Sequence, residues 1–358
     1  MTRIRTSALE SWATRILEEA GLQHSDAAAV SENLAYAEIR GTSSHGFIRL
    51  PIYRDRVLAG GINAAHRMSV THDGGGLVLL DADAAPGAVS GCYAADLAVE
   101  RARTHGIGCV IVRDASHFGP AAYYGERIAD AGALGMVCCN TDKAVCAPGG
   151  GRAVLGTNPL SIALPTPRSS RPILDMATSA AAYGKLLVAE QTGDRIPIGW
   201  AVDESGKPTD SPKSALLGAL LPAAGPKGFG LSFMIDALLA IGGARTSPSV
   251  GALYGDPAVR QGLGHLFLAV DDPERLLPSA SEALIGSLRD SSLPSHPRVL
   301  YPGEPEQRRA AENGDSFEAS PELIQDLERT AADAGVPLPP LALGEPGTVG
   351  APEQGPHR

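Results

Sequence analysis

One short stretch of the chain presents an ionisable side chain at the end of a predicted strand. The apolar run 107–112 is typical of a buried strand, and the chain then turns polar and presents His117 just before Phe118. An imidazole, with a pKa of about 6.5, can both give and take a proton near neutral pH. His117 is therefore a candidate general acid–base, although a lone histidine at a strand end is also commonly a structural, hydrogen-bonded residue.

A second group of polar side chains is spaced for one face of a helix. His45, Arg49 and Tyr53 lie four residues apart, and Ser44 is a suitable N-cap. A guanidinium can hold a carboxylate through two bonds and a phenol can add another, so the stripe suits a small anionic substrate. Pro51 would kink such a helix unless it lies in the first turn. An ordinary solvated helix face is the alternative.

Two further segments could hold an anion. Lys227 lies between a proline and two glycines, ahead of the apolar run 231–240, which predicts a helix whose N-terminus attracts negative charge. Asp175 ends a predicted strand and precedes small residues, an arrangement that can hold ribose hydroxyls while backbone N–H groups meet a phosphate. Each also has a simpler interpretation, as an exposed loop lysine and as a helix-capping acid.

The elements that must position these groups follow from hydrophobic spacing and turn residues. Residues 88–104 are alanine-rich and predict a helix that leads into the 107–112 strand. The glycines at 74–76 predict a hairpin turn before the next strand, and the apolar run 133–140 predicts a further strand. Ser320 and the proline after it predict the start of a last helix.

The composition bounds the class of protein. The chain has 358 residues, of which 44% are hydrophobic and 20% charged, which is ordinary for a globular protein with a full core. A net charge of −10 without any basic cluster argues against a nucleic-acid partner. No apolar run approaches the roughly 20 residues of a membrane span, and the first residues lack the apolar core of a signal peptide. Five cysteines without a C-x-x-C pair are typical of reduced thiols, so we expect a cytoplasmic protein without a metal site.

Five separated motifs carry a resemblance to a known family. In chain order they are SHGxxR from Ser44, SHFG from Ser116, GTNP from Gly156, DMATS from Asp175 and PKGFGL from Pro226. In these motifs the chain resembles the malate/L-lactate dehydrogenase family that lacks a Rossmann domain. Its members include ureidoglycolate, sulfolactate and malate dehydrogenases, 2,3-diketogulonate reductase and piperideine-2-carboxylate reductase. The resemblance extends from about residue 9 to about residue 309, and the chain has no strand–GxGxxG–helix unit.

The resemblance implies a fold and a division into domains. We expect an α/β fold of the non-Rossmann type, with a mixed α/β domain and a cofactor domain that has a largely antiparallel sheet. The substrate and dimer domain is expected at 1–118 with 290–338, and the nicotinamide-cofactor domain at 119–289. The segment 339–358 is expected to be a disordered tail because Pro and Gly dominate it. Family members are usually homodimers with the active site near the subunit contact, so a homodimer is expected.

The resemblance also implies the chemistry. Hydride would pass between NAD or NADP and C2 of a small 2-oxo or 2-hydroxy carboxylic acid, and the protein would supply orientation and one proton. His117 is the expected general acid–base. His45, with Ser44 as its hydrogen-bond partner, is the rival for that role.

Substrate and cofactor contacts are implied residue by residue. Arg49 is expected to hold the substrate carboxylate, with Tyr53 and Asp142 beside it. Asp142 matches the variant in ureidoglycolate dehydrogenase, although an aspartate after a strand is as often a turn former. The implied cofactor contacts are Phe118, Gly119, Pro120, Ala121, Ala122, Thr141, Asp175, Met176, Ala177, Lys227, Pro302, Gly303 and Glu304.

Two alternatives remain open at this point. Reduction of a cyclic imine-2-carboxylate would use the same carboxylate site, because C=N is isosteric with C=O. A non-catalytic binding protein on the same fold is the alternative from another class, since a fold alone does not confer activity. The intact set of His45, Arg49, His117 and Lys227 argues against it. The substrate, the physiological direction and the choice between NAD and NADP do not follow from the sequence.

Overall fold

The computed structural model describes residues 2–293 and 298–340. The expected tail at 339–358 lies outside the described residues from position 341 onward. The first half contains, in order, β1 (Thr2–Arg5), α1 (Thr6–Glu19), α2 (His24–Ile39), α3 (Leu50–Leu58), β2 (Ser69–Asp73), β3 (Leu77–Asp81), α4 (Gly87–His105), β4 (Ile107–Ala115), α5 (Ala121–Asp130), β5 (Ala133–Cys139), β6 (Val145–Cys146), β7 (Ala153–Leu155), β8 (Leu160–Ala163) and β9 (Ile173–Met176).

The second half contains fewer and shorter strands. It has α6 (Tyr183–Thr192), β10 (Ala201–Val202), β11 (Pro208–Thr209), α7 (Pro212–Leu217), β12 (Ala219–Leu220), α8 (Pro226–Leu239), β13 (Leu263–Asp271), α9 (Leu276–Asp290), α10 (Glu304–Asn313), β14 (Ser316–Ala319) and α11 (Pro321–Ala334). Among the residues described, no helix has both the length and the apolar character needed to cross a bilayer.

A seven-stranded sheet forms the centre of the molecule. Its strand order is β2-β3-β4-β13-β5-β8-β9, and only β3 and β4 run parallel to each other. The expected α/β fold with a largely antiparallel sheet is confirmed, and the 74–76 hairpin turn joins β2 to β3 as predicted. The sheet includes strands from both sides of the expected 118/119 domain boundary, and that division stays a prediction.

Strand β4, which leads to His117, is apolar because both of its faces are covered. Val110 and Val112 pack in the cluster with α4 and α5, while Ile111 packs on the other face against Ile235 and Leu239 of α8. A strand buried on both faces shows a continuous apolar run rather than an alternating one. The strand is therefore a rigid base for the residues that follow it.

The two ends of the described chain meet in a helical layer. Strand β1 pairs with β14, and α1, α2 and α11 share a core that includes Trp12, Leu34 and Leu327. The predicted last helix is confirmed, because the Ser320 hydroxyl accepts the Leu323 N–H at its start. Small sheets of five strands, in the order β11-β10-β12-β6-β7, and of two strands complete the fold.

The segment expected to be one continuous helix is broken. Two 3-10 turns, Ser43–His45 and Phe47–Arg49, precede α3, which places Pro51 in the first turn of that helix. The break falls at Gly46, where a Cβ atom would lie 1.9 Å from the carboxylate of Glu38. Ser44 is therefore not the N-cap of this helix.

Helix α8 begins earlier than predicted. The apolar pattern indicated a start at residue 231, but the helix begins at Pro226, with proline at the first position where its fixed φ suits a helix. Lys227 consequently lies in the first turn of the helix and not in the loop before it.

Candidate active site

The side chain of His117 is held from three directions. The hydroxyl oxygen of Tyr53, on α3, lies 2.6 Å from Nδ1, and the N–H of Gly119 points at the same nitrogen from 3.4 Å. The backbone N–H of His117 donates to Oε1 of Gln261 at 2.9 Å. Among the described residues none hydrogen-bonds to Nε2, so this nitrogen is available to a ligand.

His45 lies beside His117. The two imidazole rings stack with their centroids 5.6 Å apart, and Oγ of Ser44 lies 3.0 Å from Nδ1 of His45. Burial and then the charge of Arg49 lower the pKa of His45 to about 4. Burial, followed by the charges of Arg49 and His45, holds the pKa of His117 well below its usual value. Both histidines are half-buried. Their lowered pKa values favour the neutral rings at pH 7.

Arg49 lies in the cleft beside these histidines, and some of its N–H groups already donate hydrogen bonds within the protein. It is buried, its Nε donates to the carbonyl of Ser44 at 2.7 Å, and its Nη1 donates to the hydroxyl of Tyr254. The guanidinium carbon also lies 5.2 Å from the centroid of the Tyr254 ring. No described residue accepts a hydrogen bond from Nη2. A cation with a free donor in a cleft is suited to a small carboxylate.

Asp142 adds a carboxyl group near this arginine. Burial raises its pKa, while a backbone hydrogen bond from Leu253 and the charges of Arg56 and Arg49 act in the opposite direction. Burial also raises the pKa of Tyr183, with Asp142 as the next contributor, and the Tyr183 ring lies 6.4 Å from that of Tyr254. The predicted substrate residue Asp142 is thus electrostatically coupled to the Arg49 cleft.

The segment after His117 passes from the cleft into the core and then into a helix. The Phe118 ring is buried and stacks between Tyr124 and His265, at centroid distances of 4.9 and 4.2 Å, which leaves only its backbone for a ligand. At Gly119, φ is +76° and a Cβ atom would lie 1.9 Å from Oδ1 of Asn33. Pro120 is then the N-cap of α5, whose first residues are Ala121 and Ala122.

Asp175 connects this helix to the end of β9. Its Oδ2 accepts the N–H of Ala122 at 3.3 Å in the first turn of α5. Asp175 is exposed as a whole residue, and partial desolvation of its carboxyl by the surrounding protein raises its pKa to about 7. Met176 and Ala177 follow at half-buried positions. A carboxyl group beside a helix N-terminus, open to water, is a suitable acceptor for sugar hydroxyls.

The GTNP motif joins two predicted cofactor segments. Asn158 is buried with φ +23°, and its Oδ1 accepts the N–H of Thr141 at 3.0 Å. The carbonyl of Thr157 accepts both the N–H and the hydroxyl of Thr178 at 2.9 Å. The motif thus links Thr141 to the strand end that carries Asp175.

Lys227 lies at the start of α8, which approaches the segment that follows β9. A Cβ at Gly228 would lie 2.2 Å from the Ala223 carbonyl and 2.8 Å from that of Thr178, so only glycine allows α8 to approach so closely. The Lys227 side chain is exposed, and within residues 2–293 and 298–340 no acid pairs with it. Its amino group is available to an anion at the start of α8.

The predicted C-terminal contacts lie beside the start of β9. The carbonyl of Pro302 accepts the N–H of Ile173 at 2.9 Å, and a Cβ at Gly303 would lie 2.8 Å from the Ile173 carbonyl. The Glu304 carboxylate accepts the N–H of Tyr301 at 3.2 Å and a bond from Arg308 at 2.6 Å. These residues brace the strand that carries Asp175, with the Glu304 carboxylate turned toward its own helix.

The donor set fits a dinucleotide cofactor. The exposed carboxyl of Asp175 beside the start of α5 can accept from ribose hydroxyls, and the exposed amino group of Lys227 at the start of α8 can pair with a phosphate. Sequence reasoning missed Tyr254, Gln261 and Arg56. The first two lie in a loop without periodicity, so no sequence signal indicated that they approach Arg49 and His117.

Comparison with known proteins finds a family model that matches most of the chain. The family model for malate/L-lactate dehydrogenase matches residues 4–328. The L-sulfolactate dehydrogenase of Methanocaldococcus jannaschii is 34% identical over 326 residues, which are 90% of this chain and 94% of the relative. The solved structure of a sulfolactate dehydrogenase from that organism matches with a TM-score of 0.86 at 32% identity, over 94% of this chain and 98% of the other.

Two further matches differ in the activity that they are named for. The ureidoglycolate dehydrogenase (NAD(+)) of Escherichia coli strain K12 is 34% identical over 305 residues, 83% of this chain and 87% of the relative. The crystal structure of delta1-piperideine-2-carboxylate reductase from Pseudomonas syringae pvar. tomato matches with a TM-score of 0.83 at 25% identity, over 92% of this chain and 100% of the other. Relatives named for NAD(+) and for NADP(+) both occur among the matches.

Proposed function

Because this chain belongs to the malate/L-lactate dehydrogenase family, we propose that it transfers hydride between NAD or NADP and C2 of a small 2-oxo or 2-hydroxy carboxylic acid. One structural observation supports the proposal independently of family membership. His117 is oriented by Tyr53, and its free Nε2 belongs to a cleft that also contains the partly unpaired guanidinium of Arg49. A proton carrier and a carboxylate site therefore lie together, as this chemistry requires.

His117 supplies the proton in this proposal. In the reducing direction the imidazolium gives the Nε2 proton to the developing alkoxide oxygen, and in the oxidising direction the neutral ring takes it back. Because Nε2 exchanges the proton, Nδ1 carries a hydrogen in both states, and the hydroxyl oxygen of Tyr53 can accept it. Stacked His45 shapes the substrate site, held by its contact with Ser44.

The cofactor supplies the hydride when it is bound. The backbone at 118–122 and the carboxyl of Asp175 would hold one end near His117, and Lys227 would pair with a phosphate. Thr141, Met176 and Ala177 would line the cofactor site beside β9. Pro302, Gly303 and Glu304 would support the start of that strand.

A cyclic imine-2-carboxylate is the second candidate substrate. A solved neighbour is named as a piperideine-2-carboxylate reductase, and the Asp142 carboxyl lies close enough to Arg49 to couple with it. A carboxyl in the cleft would stabilise a cationic iminium and would disfavour a second negative charge on the substrate. Asp142 therefore favours substrates with one carboxylate and a hydrogen-bond donor or cation beyond it.

Two properties of the whole protein belong to the same proposal. All five cysteines are free thiols, which supports a cytoplasmic location. Helix α8 exposes large apolar side chains, which supports a homodimer; these are Leu231, Phe233, Met234 and Leu238.

The test is a substrate screen with the purified full chain. Loss of absorbance of NADH and of NADPH is followed with 2-oxo acids and with cyclic imine-2-carboxylates, one at a time. We expect the wild type to reduce at least one 2-oxo acid, and we expect this activity to be lost in His117→Gln. If no substrate of either class is reduced with either cofactor, while both cofactors bind, the proposal is refuted.

A further inference from the structure

The loop 250–262 joins the two halves of the candidate active site. It contains no helix or strand, yet Tyr254 accepts a hydrogen bond from Arg49, and the side chain of Gln261 accepts the backbone N–H of His117. Arg49, proposed to bind the substrate carboxylate, and His117, proposed to exchange the proton, therefore contact the same loop. The position of this loop must affect both.

A buried arginine on α3 holds the loop. Nη1 of Arg56 donates to the carbonyls of Leu253 and Asp256 at 3.3 and 3.5 Å, and Nη2 donates to that of Val259. Arg56 is 1% exposed, so these bonds are shielded from water. Tyr53, which orients His117, lies one helical turn earlier on the same helix. Helix α3 thus fixes the loop and the catalytic histidine as one unit.

A second tie to the loop is weaker. Nη1 of Arg260 lies 3.1 Å from carboxylate oxygens of both Asp83 and Asp114. All three side chains are substantially accessible to water, and such pairs contribute little to stability. The buried contacts of Arg56 are therefore the main support of Tyr254.

The donor inventory of Arg49 limits how it can hold a carboxylate. Nε gives its single N–H to the carbonyl of Ser44, and Nη1 gives one of its two N–H groups to the oxygen of Tyr254. The edge of the guanidinium formed by Nε and Nη2 therefore cannot give a carboxylate two parallel bonds while the contact with Ser44 holds. The Tyr254 hydroxyl, however, accepts from Arg49 and so keeps its own proton for donation. Nη2 and this hydroxyl are then two neighbouring hydrogen-bond donors. Tyr254 is 51% exposed, so a ligand can reach it.

We propose that Tyr254 donates the second hydrogen bond to the substrate carboxylate, beside Nη2 of Arg49, and that Arg56 is the positioning residue for Tyr254. This inference rests on the proposed function, because it states how the carboxylate of that substrate is held. It replaces the bidentate arginine contact expected from the sequence with a mixed guanidinium–phenol contact. Tyr53, which the sequence suggested for this role, is engaged with His117 instead.

The test compares Tyr254→Phe with the wild type in two assays. Phenylalanine keeps the ring and removes only the hydroxyl. We expect KM for the 2-oxo acid to rise about ten- to hundredfold, since the bond is made to a charged group, with kcat and cofactor affinity changed much less. The preference for the acid over its uncharged primary amide should fall by a similar factor. Tyr93→Phe, an exposed tyrosine on α4, is the matched control and should behave as wild type.

A binding measurement separates failure of this inference from failure of the proposed function. Calorimetry of oxamate, a carboxylate probe, with the enzyme saturated in cofactor does not require turnover. Weaker oxamate binding in Tyr254→Phe supports the role of Tyr254 even if the screened substrates are wrong. Turnover by the wild type with an unchanged acid-to-amide preference in Tyr254→Phe refutes this inference alone. If the wild type neither binds oxamate nor reduces any substrate, both are refuted.

The positioning role of Arg56 has its own readout. Arg56→Lys should raise KM in the same direction as Tyr254→Phe, and the double variant should be no worse than the more affected single variant, because both changes remove one contact. Additive losses in the double variant would show that Arg56 supports the fold without acting through Tyr254.

Discussion

The hydroxyl oxygen of Tyr53 lies 2.6 Å from Nδ1 of His117, although 64 residues separate the two in sequence. Strand β4 brings the histidine from the sheet, and α3 brings the tyrosine from the helical layer. Because the phenol engages Nδ1, the ring presents Nε2 to the cleft. The packing of a helix against a strand end thus defines which nitrogen exchanges the proton.

Removal of this contact should affect the chemical step more than substrate binding. In Tyr53→Phe the imidazole loses the hydrogen bond that fixes its orientation and supports its charged state. We expect kcat to fall about ten- to hundredfold with little change in KM, measured by steady-state kinetics in the reducing direction. A rise in KM at constant kcat would instead assign Tyr53 to the substrate, as the sequence suggested.

Removal of the lysine at the start of α8 should weaken cofactor binding alone. Lys227→Ala should raise the dissociation constant of NAD(P)H by a factor that corresponds to about 1–3 kcal/mol, and it should keep the order of substrate preference. Lys213→Ala is the matched control, since Lys213 also follows a proline in the first turn of a helix. Titration of the cofactor's fluorescence measures both. Equal affinity in the two variants would make Lys227 an ordinary surface residue.

The pH dependence of the reaction should differ between free enzyme and complex. Burial, then Arg49 and His45, lowers the pKa of His117, so the free enzyme holds a neutral ring at pH 7. Oxidation needs that neutral ring and should stay fast below pH 6.5, whereas reduction needs the imidazolium and should rise as pH falls. A bound carboxylate offsets the charge of Arg49 and should raise this pKa. The apparent pKa in kcat should therefore exceed that in kcat/KM, and the reverse order would contradict this electrostatic account.

His265 should make the fold sensitive to acid. It is fully buried beside Phe118, neither ring nitrogen has a hydrogen-bond partner among the described residues, and burial lowers its pKa to about 3. The unfolded chain takes up this proton below about pH 6.5 and the folded one does not until about pH 3, so stability falls as pH falls through that window. The contribution is about 1.4 kcal/mol per pH unit within it.

The variant His265→Leu should remove that part of the pH dependence. Denaturant unfolding between pH 4 and pH 7 measures the free energy of unfolding of both proteins. The free energy of unfolding should change less steeply with pH in the variant, by an amount that corresponds to the uptake of about one proton on unfolding. The variant should lose little stability at pH 7 because no hydrogen bond is broken. Identical slopes would show that His265 is not neutral throughout this range in the wild type.

The sequence predicted the parts of the site that depend on local order. The apolar run before His117 indicated a rigid strand, and the small residues after Asp175 indicated an open strand end. The contacts of Tyr53 and Tyr254 could not be predicted, because each joins segments that are distant in sequence. The helix break at Gly46 depends on Glu38 of another element, which no local propensity contains.

The central claim is that His117 exchanges the proton of hydride transfer, and His117→Gln tests it most directly. Glutamine keeps a polar side chain but cannot act as an acid–base near neutral pH. A single-turnover measurement of NAD(P)H oxidation, at saturating substrate and with cofactor affinity measured in parallel, isolates the chemical step. We expect cofactor affinity within a few-fold of wild type and a rate lower by about 10²–10⁴. Retention of the wild-type rate in this variant, with a loss of that size in His45→Gln, would contradict the account and assign the proton to the Ser44–His45 pair.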